Sequence, residues 1–223
     1  MPNEAALTGP VEDYLKAVYE LERRFGGAAA TNALAERLGV APASVTGMVR
    51  RLADQGLLEY ERYRGVRLTD AGRLAALRTL RRHRIIESYL ATVLGYPWDR
   101  VHAEAERLEH AASDELIDRM AAALGDPAFD PHGAPIPTRD GAVDERRLTA
   151  LCDVGAGQRA RVVRVSDDDD AMLRYLAELG LLPGAAVTVV ERAPYDGPVT
   201  VDVSGRAVAV GTAVAEAVLV EVD

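Results

Sequence analysis

The sequence predicts a mainly α-helical chain that ends in a small β domain. Apolar residues recur at helical spacing up to about residue 125, residues 126–147 are rich in Pro, Gly and Asp, and from about residue 156 short valine-rich runs alternate with turn residues. The chain has 223 residues, enough for three domains if each is small. We place the three predicted domains at residues 1–73, 74–140 and 156–223, with a linker at 141–155 between the second and the third.

Composition excludes several classes of protein. Apolar residues make up 48% of the chain, which is too many for a wholly disordered protein. The apolar runs are far shorter than the roughly 18 residues that cross a membrane, and the N-terminus lacks the pattern of a signal peptide. The single cysteine, Cys152, cannot form an internal disulfide. We therefore expect a cytoplasmic protein without a membrane partner.

Charge is distributed unevenly along the chain. The formal net charge is −9, yet residues 1–84 contain 14 Lys/Arg against 10 Asp/Glu. The stretch 50–84 alone contains 10 arginines and four acidic residues. A basic segment on an acidic body suits a protein that binds a phosphate backbone at one end, although an arginine-rich solvated surface has the same composition.

The first domain is predicted to be a winged helix-turn-helix. Helical spacing covers residues 10–25, 33–38 and 42–55, with Thr31 or Asn32 as the cap of the second helix. Gly39-Val40-Ala41 forms the turn of the helix-turn-helix. Residues 57–62 and 66–69 flank a Tyr63-Arg64-Gly65 turn and form the hairpin that serves as the wing.

One face of the third helix is predicted to contact DNA. Val45, Met48, Val49 and Leu52 share the core face, which leaves small polar and basic residues on the other side. Small side chains allow close approach to base edges, and arginines reach phosphates or guanine. Non-binding proteins also contain this motif, so the basic wing is needed to support the interpretation. The predicted DNA-binding residues are Ser44, Thr46, Gly47, Arg50, Arg51, Arg62 and Arg64.

Two long helices are predicted to contribute metal ligands. The first is capped by Thr69 or Asp70 and extends to about residue 94, and the second is capped by Asp99 and extends to about residue 124. His83 and Glu87 are four residues apart and share a face of the first of these helices. The second helix places His102, Glu106, Glu109 and His110 within an arc of about 100°. A solvated helix surface could contain one such pair, but two facing helices with this pattern favour a metal site.

The C-terminal segment is predicted to be a small, strongly bent β-barrel or sheet. One helical pattern, at 171–179, interrupts the valine-rich runs. These runs are 160–165, 186–190, 199–203, 208–210 and 218–222.

Several of these segments together resemble the diphtheria-toxin-repressor family of iron- and manganese-dependent transcriptional regulators. The N-terminal matches are Glu12-Asp13-Tyr14-Leu15 and the winged helix-turn-helix. The central matches are His83-Arg84-Ile85-Ile86-Glu87, the stretch from Val101 to His110, and the loop from Asp130-Pro131-His132-Gly133 to Pro137. Leu173–Val190 resembles the SH3-like domain of the longer members, which implies an SH3-like barrel at 156–223.

The resemblance implies two metal sites. By position, the primary site maps to Asp13, Glu106, Glu109 and His110. The ancillary site maps to His83, Glu87 and His102. In the long members an acidic or amide ligand of the SH3-like domain completes it, for which we select Asp169. The matching loop also contains His132, which we expect to be structural rather than a ligand.

The resemblance also indicates the metal. Iron-type members have a methionine and a cysteine where this chain has Asp13 and Glu106, and an oxygen-rich site with one imidazole suits manganese. Mn²⁺ is therefore the expected ion, with Fe²⁺ or another divalent transition metal as the alternative. Lys16 replaces a glutamate of the short manganese regulators, so their closely spaced two-metal site is not expected. Asp130 and Ala134 occupy the positions that hold an anion in iron-type members, and we expect no anion here.

The expected function is that of a manganese-activated transcriptional regulator, a repressor of metal-uptake genes and not an enzyme. It would bind double-stranded operator DNA as a homodimer, because a winged helix reads a pseudopalindrome best as a two-fold pair. Three alternatives remain at this stage: an iron-dependent repressor of the same family, a metal-independent winged-helix regulator and a metallohydrolase. Candidate positions for the dimer surface are Leu77, Leu80, Leu116 and Met120.

Overall fold

The computed structural model describes residues 7–61 and 64–223. The described chain forms two compact units. The first contains residues up to 82 together with 109–112 and 137–142, and the second contains 83–108, 113–136 and 143–223.

The first unit contains the predicted winged helix-turn-helix. Its hairpin pairs β1 with β2 in antiparallel register, Tyr60 opposite Val66. On the predicted core face of α3, Val45, Val49 and Leu52 are fully buried, whereas Met48 is half-buried. The predicted side-chain cap of the second helix is wrong, because the helix already begins at Thr31 and no side chain caps it. The elements are α1 (Gly9–Phe25), α2 (Thr31–Leu38), α3 (Pro42–Asp54), β1 (Leu58–Glu61) and β2 (Gly65–Leu68).

Helix α4 (Asp70–Thr92) begins in the first unit and ends in the second. The Thr69 hydroxyl accepts a hydrogen bond from the Gly72 amide at 3.1 Å, so one of the two predicted caps is present. Leu77 and Leu80 are each only 2% exposed within the single chain, which removes them as candidates for a dimer surface.

The predicted helix from Asp99 to residue 124 is wrong, because the structure contains two helices there, α5 (Val101–Leu108) and α6 (Asp114–Ala123). Asp99 lies two residues before the start of α5, and its carboxylate accepts from the guanidinium of Arg174 at 2.9 Å. The Ser113 hydroxyl caps α6 by accepting from the Leu116 amide. Residues 109 and 110 therefore lie in a turn after α5 and not on its surface.

The C-terminal part of the second unit is a six-stranded antiparallel sheet in the order β3-β8-β4-β5-β6-β7. Valines alternate inward along the strands, as Val199, Val201 and Val203 show, and form its core. The sheet begins within the predicted linker, where β3 pairs with β8 and Leu151 is fully buried. The elements are β3 (Thr149–Ala150), a 3₁₀ turn (Leu151–Asp153), β4 (Arg159–Val165), α7 (Asp170–Leu179), β5 (Ala186–Arg192), β6 (Val199–Val203), β7 (Arg206–Val210), α8 (Thr212–Glu216) and β8 (Val218–Val222).

A loop at 130–134 is fixed against strand β4. The Val165 amide donates to the carbonyl of His132 at 2.9 Å, and a Cβ on Gly133 would lie 1.9 Å from the carbonyl oxygen of Val163. Gly133 also has a φ of +84°, which favours glycine. The loop turns on Asp130, whose Oδ1 accepts from the amides of His132 and Ala134. His132 is therefore rigidly placed.

None of the helices among the described residues has both the length and the apolar character needed to cross a membrane.

Candidate metal centres

His83, Glu87, His102 and Asp167 form the first cluster, which we call the ancillary cluster. Each offers one nitrogen or oxygen, and these atoms lie within 4.8 Å of one another. Glu87 Oε1 accepts from His83 Nε2 at 3.0 Å and from His102 Nδ1 at 3.2 Å. His102 Nδ1 also lies 3.3 Å from Asp167 Oδ2, on the segment that precedes α7. The structure thus brings together the three predicted helical residues.

The ancillary cluster balances acidic and basic groups. Burial alone would lower the pKa of His102, but hydrogen bonds and charges from Asp167 and Glu87 outweigh it and raise that pKa to about 11. Burial alone would raise the pKa of Glu87, but the neighbouring imidazoles of His83 and His102 outweigh it and hold that pKa below the usual value. A metal ion at this position must therefore displace a proton from His102.

The acidic residue of the C-terminal domain in this cluster is Asp167, whereas Asp169, which the sequence analysis selects, lies outside the cluster and its role as a ligand stays a prediction. Asp169 is the N-cap of α7, and its Oδ1 accepts from the amides of Ala171 at 2.7 Å and Met172 at 3.2 Å. Its carboxylate is therefore committed to the helix terminus.

We expect Asp167→Ala and Asp169→Ala to separate these two roles. Asp167→Ala removes an oxygen donor and lowers Mn²⁺ affinity at the ancillary cluster by about 10–100-fold, the range found for partners of metal ligands. Asp169→Ala leaves the affinity unchanged and lowers the free energy of unfolding by about 1 kcal/mol through the lost cap. Calorimetric Mn²⁺ titration and urea unfolding of both variants measure this. A loss of Mn²⁺ affinity in Asp169→Ala but not in Asp167→Ala would identify Asp169 as the ligand.

A buried triad, Glu87, Asp130 and His132, adjoins the ancillary cluster and shares Glu87 with it. Glu87 Oε2, Asp130 Oδ2 and His132 Nδ1 are buried without a hydrogen-bond partner among the described residues. Such atoms are costly unless something binds them, so two carboxylate oxygens and one imidazole nitrogen fit a manganese ion here. Burial and the charge of Glu87 raise the pKa of Asp130 to about 7, and Arg84, with Nε 3.6 Å from Oδ2, opposes this.

The expectation that His132 is structural describes only one of its ring nitrogens. Nε2 lies 2.8 Å from the carbonyl of Trp98, as an anchor would, but Nδ1 lies 3.9 Å from both Glu87 Oε1 and Asp167 Oδ2. Only Nδ1 is oriented for a metal ion. The sequence signal was the Asp-Pro-His spacing of residues 130–132, which places a second acidic residue and an imidazole on one tight loop.

Asp13, Glu109 and His110 form the second cluster, which we call the primary cluster. Asp13 lies on α1, and the other two occupy the turn after α5. His110 Nε2 lies 2.8 Å from Asp13 Oδ1 and 3.5 Å from Glu109 Oε1. Glu109 is fully buried and also accepts from Lys16 Nζ at 2.7 Å. The Lys16 ammonium thus engages one oxygen of Glu109, and the expected lack of a closely spaced two-metal site stays a prediction.

The electrostatics of the primary cluster favour a cation. Burial raises the pKa of Asp13, although His110 and Lys16 oppose the shift. Burial lowers the pKa of His110, but hydrogen bonds and charges from Glu12 and Asp13 outweigh it and raise that pKa overall. The raised pKa favours the protonated imidazole, so a metal ion would compete with a proton for this ring.

Glu106, which the sequence assigns to the primary site, contacts two imidazoles of the ancillary cluster. Its Oε1 lies 3.6 Å from His83 Nδ1 and 3.8 Å from His102 Nε2. Its assignment as a primary ligand stays a prediction.

The predicted DNA-contacting face of α3 is open. Ser44, Gly47, Arg50 and Arg51 are exposed, whereas Thr46 is half-buried and its hydroxyl donates to the carbonyl of Pro42. On the wing, Arg64 is exposed and pairs with Glu61 at 2.9 Å. Arg62 and Tyr63 lie outside the described residues.

Comparison with known proteins assigns each part of the chain. Residues 6–66 match the N-terminal DNA binding domain of the iron dependent repressors, and residues 69–138 match their metal binding and dimerisation domain. The chain belongs to the iron-dependent repressor family. Residues 149–222 of this repressor-family chain match the FeoA domain, which confirms the SH3-like prediction.

Individual relatives match over nearly the whole chain. The iron-dependent repressor IdeR of Mycobacterium tuberculosis (strain ATCC 25618 / H37Rv) is 35% identical over 213 residues, covering 90% of this chain and 91% of IdeR. The diphtheria toxin repressor of Corynebacterium efficiens is 31% identical over 226 residues, covering 96% of each chain.

Solved structures extend the comparison. A manganese-dependent transcriptional repressor in complex with manganese has 41% identity and a TM-score of 0.90, covering 94% of this chain and 98% of that one. The manganese regulator SloR has 32% identity and a TM-score of 0.81, covering 96% and 98%.

Proposed function

We propose that this chain is a manganese-activated transcriptional repressor of metal-uptake genes that binds operator DNA as a homodimer and has no enzymatic role. The observation that carries the proposal is the donor set. Both clusters and the buried triad consist of carboxylate oxygens and imidazole nitrogens, without sulfur. Hard oxygen donors with imidazole suit Mn²⁺, whereas sulfur donors suit softer ions.

A metal ion at the primary cluster would be held by Asp13, Glu109 and His110. It would supply positive charge that draws the carboxylate of α1 toward the turn after α5. In its absence, burial and the charge of Glu109 disfavour the Asp13 carboxylate, while His110 and Lys16 favour it. Binding therefore shifts the population toward the arrangement that holds α1, and the helices packed on it, in one position.

The exposed face of α3 would then enter the major groove of DNA. Gly47 presents no side chain and Ser44 a small one, so the helix can approach base edges, and Arg50 and Arg51 reach phosphates or guanine. For the dimer surface, Leu116 and Met120 of α6 remain candidates, since Leu116 is exposed and Met120 half-buried in the single chain.

The relatives named for iron support a second candidate, an iron-dependent repressor. The chain's one cysteine, Cys152, lies in the 3₁₀ turn after β3 and belongs to none of the donor sets. Oxygen at Asp13 therefore favours manganese over iron.

Operator binding measured against free Mn²⁺ and free Fe²⁺ tests the proposal. We expect no specific binding after chelation and half-maximal activation at a lower free concentration of Mn²⁺ than of Fe²⁺. The reverse ranking supports the iron-dependent repressor. Binding that survives chelation contradicts the proposal and supports a metal-independent regulator.

A further inference from the structure

Glu12 is a carboxylate of α1 that none of the assigned metal sites uses, although it contacts a predicted ligand. Its Oε2 accepts from His110 Nδ1 at 2.7 Å, while the other ring nitrogen, Nε2, lies 2.8 Å from Asp13 Oδ1. The imidazole is therefore held between two carboxylates, one at each nitrogen. Of these two carboxylates, only that of Asp13 belongs to the predicted ligand set.

The carboxylate of Glu12 is itself fixed from the opposite side. Its Oε1 accepts from the guanidinium of Arg82 on α4, and the two side chains are only 13% and 15% exposed. Arg82 also donates to the Thr79 hydroxyl at 3.3 Å, which limits its freedom. A chain of contacts thus runs from α4 through Arg82 and Glu12 to the imidazole of His110.

The backbone of α1 restricts the same ring. A Cβ on Gly9 would lie 3.2 Å from Cγ and Cδ2 of His110, so the ring packs closely on the first residue of the helix. The hydrogen bond at Nδ1 and this contact together leave the imidazole one orientation, with Nε2 directed at Asp13.

We propose that Glu12 is a positioning residue for the primary site. It keeps the hydrogen on Nδ1 of His110, so that Nε2 is the nitrogen presented to a metal ion. It also makes Nε2 a stronger electron-pair donor to that ion. Carboxylates have this effect on metal-bound histidines in general. This inference rests on the proposed function, because it requires a metal ion at His110.

Two other roles for Glu12 must be separated from this one. Glu12 could act only as a brace between α1 and α4 through Arg82, or only as a negative charge near the ion. A brace or a through-space charge affects metal binding whether or not His110 is present. A positioning residue acts through the imidazole alone, so its effect disappears when the imidazole is removed.

The test uses the full chain in a His102→Ala/Glu87→Gln background, which disables the ancillary cluster and also removes the carboxylate that the buried triad shares with it. Mn²⁺ affinity is measured by calorimetry, and pulsed electron paramagnetic resonance measures the coupling of bound Mn²⁺ to the remote ring nitrogen. We expect Glu12→Ala to weaken Mn²⁺ binding by about 10–100-fold and to change the nitrogen coupling. Glu12→Gln, which keeps an acceptor oxygen but loses the charge, falls between Glu12→Ala and the parent.

Glu20 on the same helix provides the matched control. It pairs with Arg37 at 2.8 Å and lies outside both metal clusters, so Glu20→Gln removes an ion pair from α1 at a more exposed position. We expect its Mn²⁺ affinity to match the parent's, because an exposed pair contributes little.

The deciding measurement adds His110→Ala. We expect Glu12→Ala to cause no further loss of Mn²⁺ affinity once His110 is replaced. A further loss of the same size, or unchanged affinity and nitrogen coupling in Glu12→Ala alone, overturns the positioning role. If Glu12→Ala fails to fold, the same comparison with the isosteric Glu12→Gln decides. A parent that binds no Mn²⁺, or in which His110→Ala changes nothing, contradicts the proposed function instead.

Discussion

His110→Ala is expected to abolish manganese-activated operator binding. The substitution removes the only imidazole of the primary cluster and leaves Asp13 and Glu109, one oxygen of which is engaged by Lys16. Loss of a partner of a ligand already costs about 10–100-fold in metal affinity, so loss of the ligand itself should cost at least as much. Fluorescence anisotropy of labelled operator against free Mn²⁺ measures the effect.

His83→Ala provides the contrast. His83 belongs to the ancillary cluster and donates to Glu87, so its loss weakens that cluster and leaves the primary cluster intact. Some activation should remain at high Mn²⁺. Glu104→Ala serves as a control on α5, since Glu104 pairs with exposed Arg107 at 3.0 Å and belongs to neither cluster. Circular dichroism of each metal-free variant shows that it is folded. If His83→Ala shows no Mn²⁺-activated operator binding while His110→Ala still does, the hierarchy of the two sites is reversed.

Local sequence signals predicted most elements of the fold because their periodicity and their termini agree. Apolar residues recur at helical spacing in α1 and α3 and at every second position in the valine-rich strands, and these are the positions that are buried. Glycines in the left-handed conformation end α1, α2 and α7. The break between α5 and α6 has no glycine or proline, so Glu109 and His110 satisfy the helical pattern. They leave the helix where Glu109 pairs with Lys16, 93 positions away, and no local pattern contains such a contact.

The candidate site was predictable to the extent that its residues share a helix. His83 and Glu87 are identified by their spacing, whereas Asp167 lies in a run of four aspartates that composition does not distinguish. The start of α7 decides which of the four aspartates faces His102, because the first amides of α7 engage Asp169. His132 depends in turn on the fit of its loop against β4.

Gly133→Ala is expected to disrupt that fit and, with it, metal binding by the buried triad. A Cβ at Gly133 would lie 1.9 Å from the carbonyl oxygen of Val163, so one backbone segment must move, and the φ of +84° adds strain. Gly157 is the matched control, because its φ is +81° and nothing lies within 4 Å of its Cβ position.

The comparison isolates the effect of close approach from that of conformation. Gly157→Ala should lower the free energy of unfolding by about 1–2 kcal/mol, the cost of a left-handed backbone with a Cβ. Gly133→Ala should add about 1–3 kcal/mol for the overlap and should lower Mn²⁺ binding, because displacement of the loop moves His132 Nδ1 and Asp130 away from Glu87. Urea unfolding and calorimetric Mn²⁺ titration of both variants measure the two effects. Equal destabilisation in the two variants, with Mn²⁺ binding intact in Gly133→Ala, would show that the loop tolerates displacement and that His132 does not depend on its packing against β4.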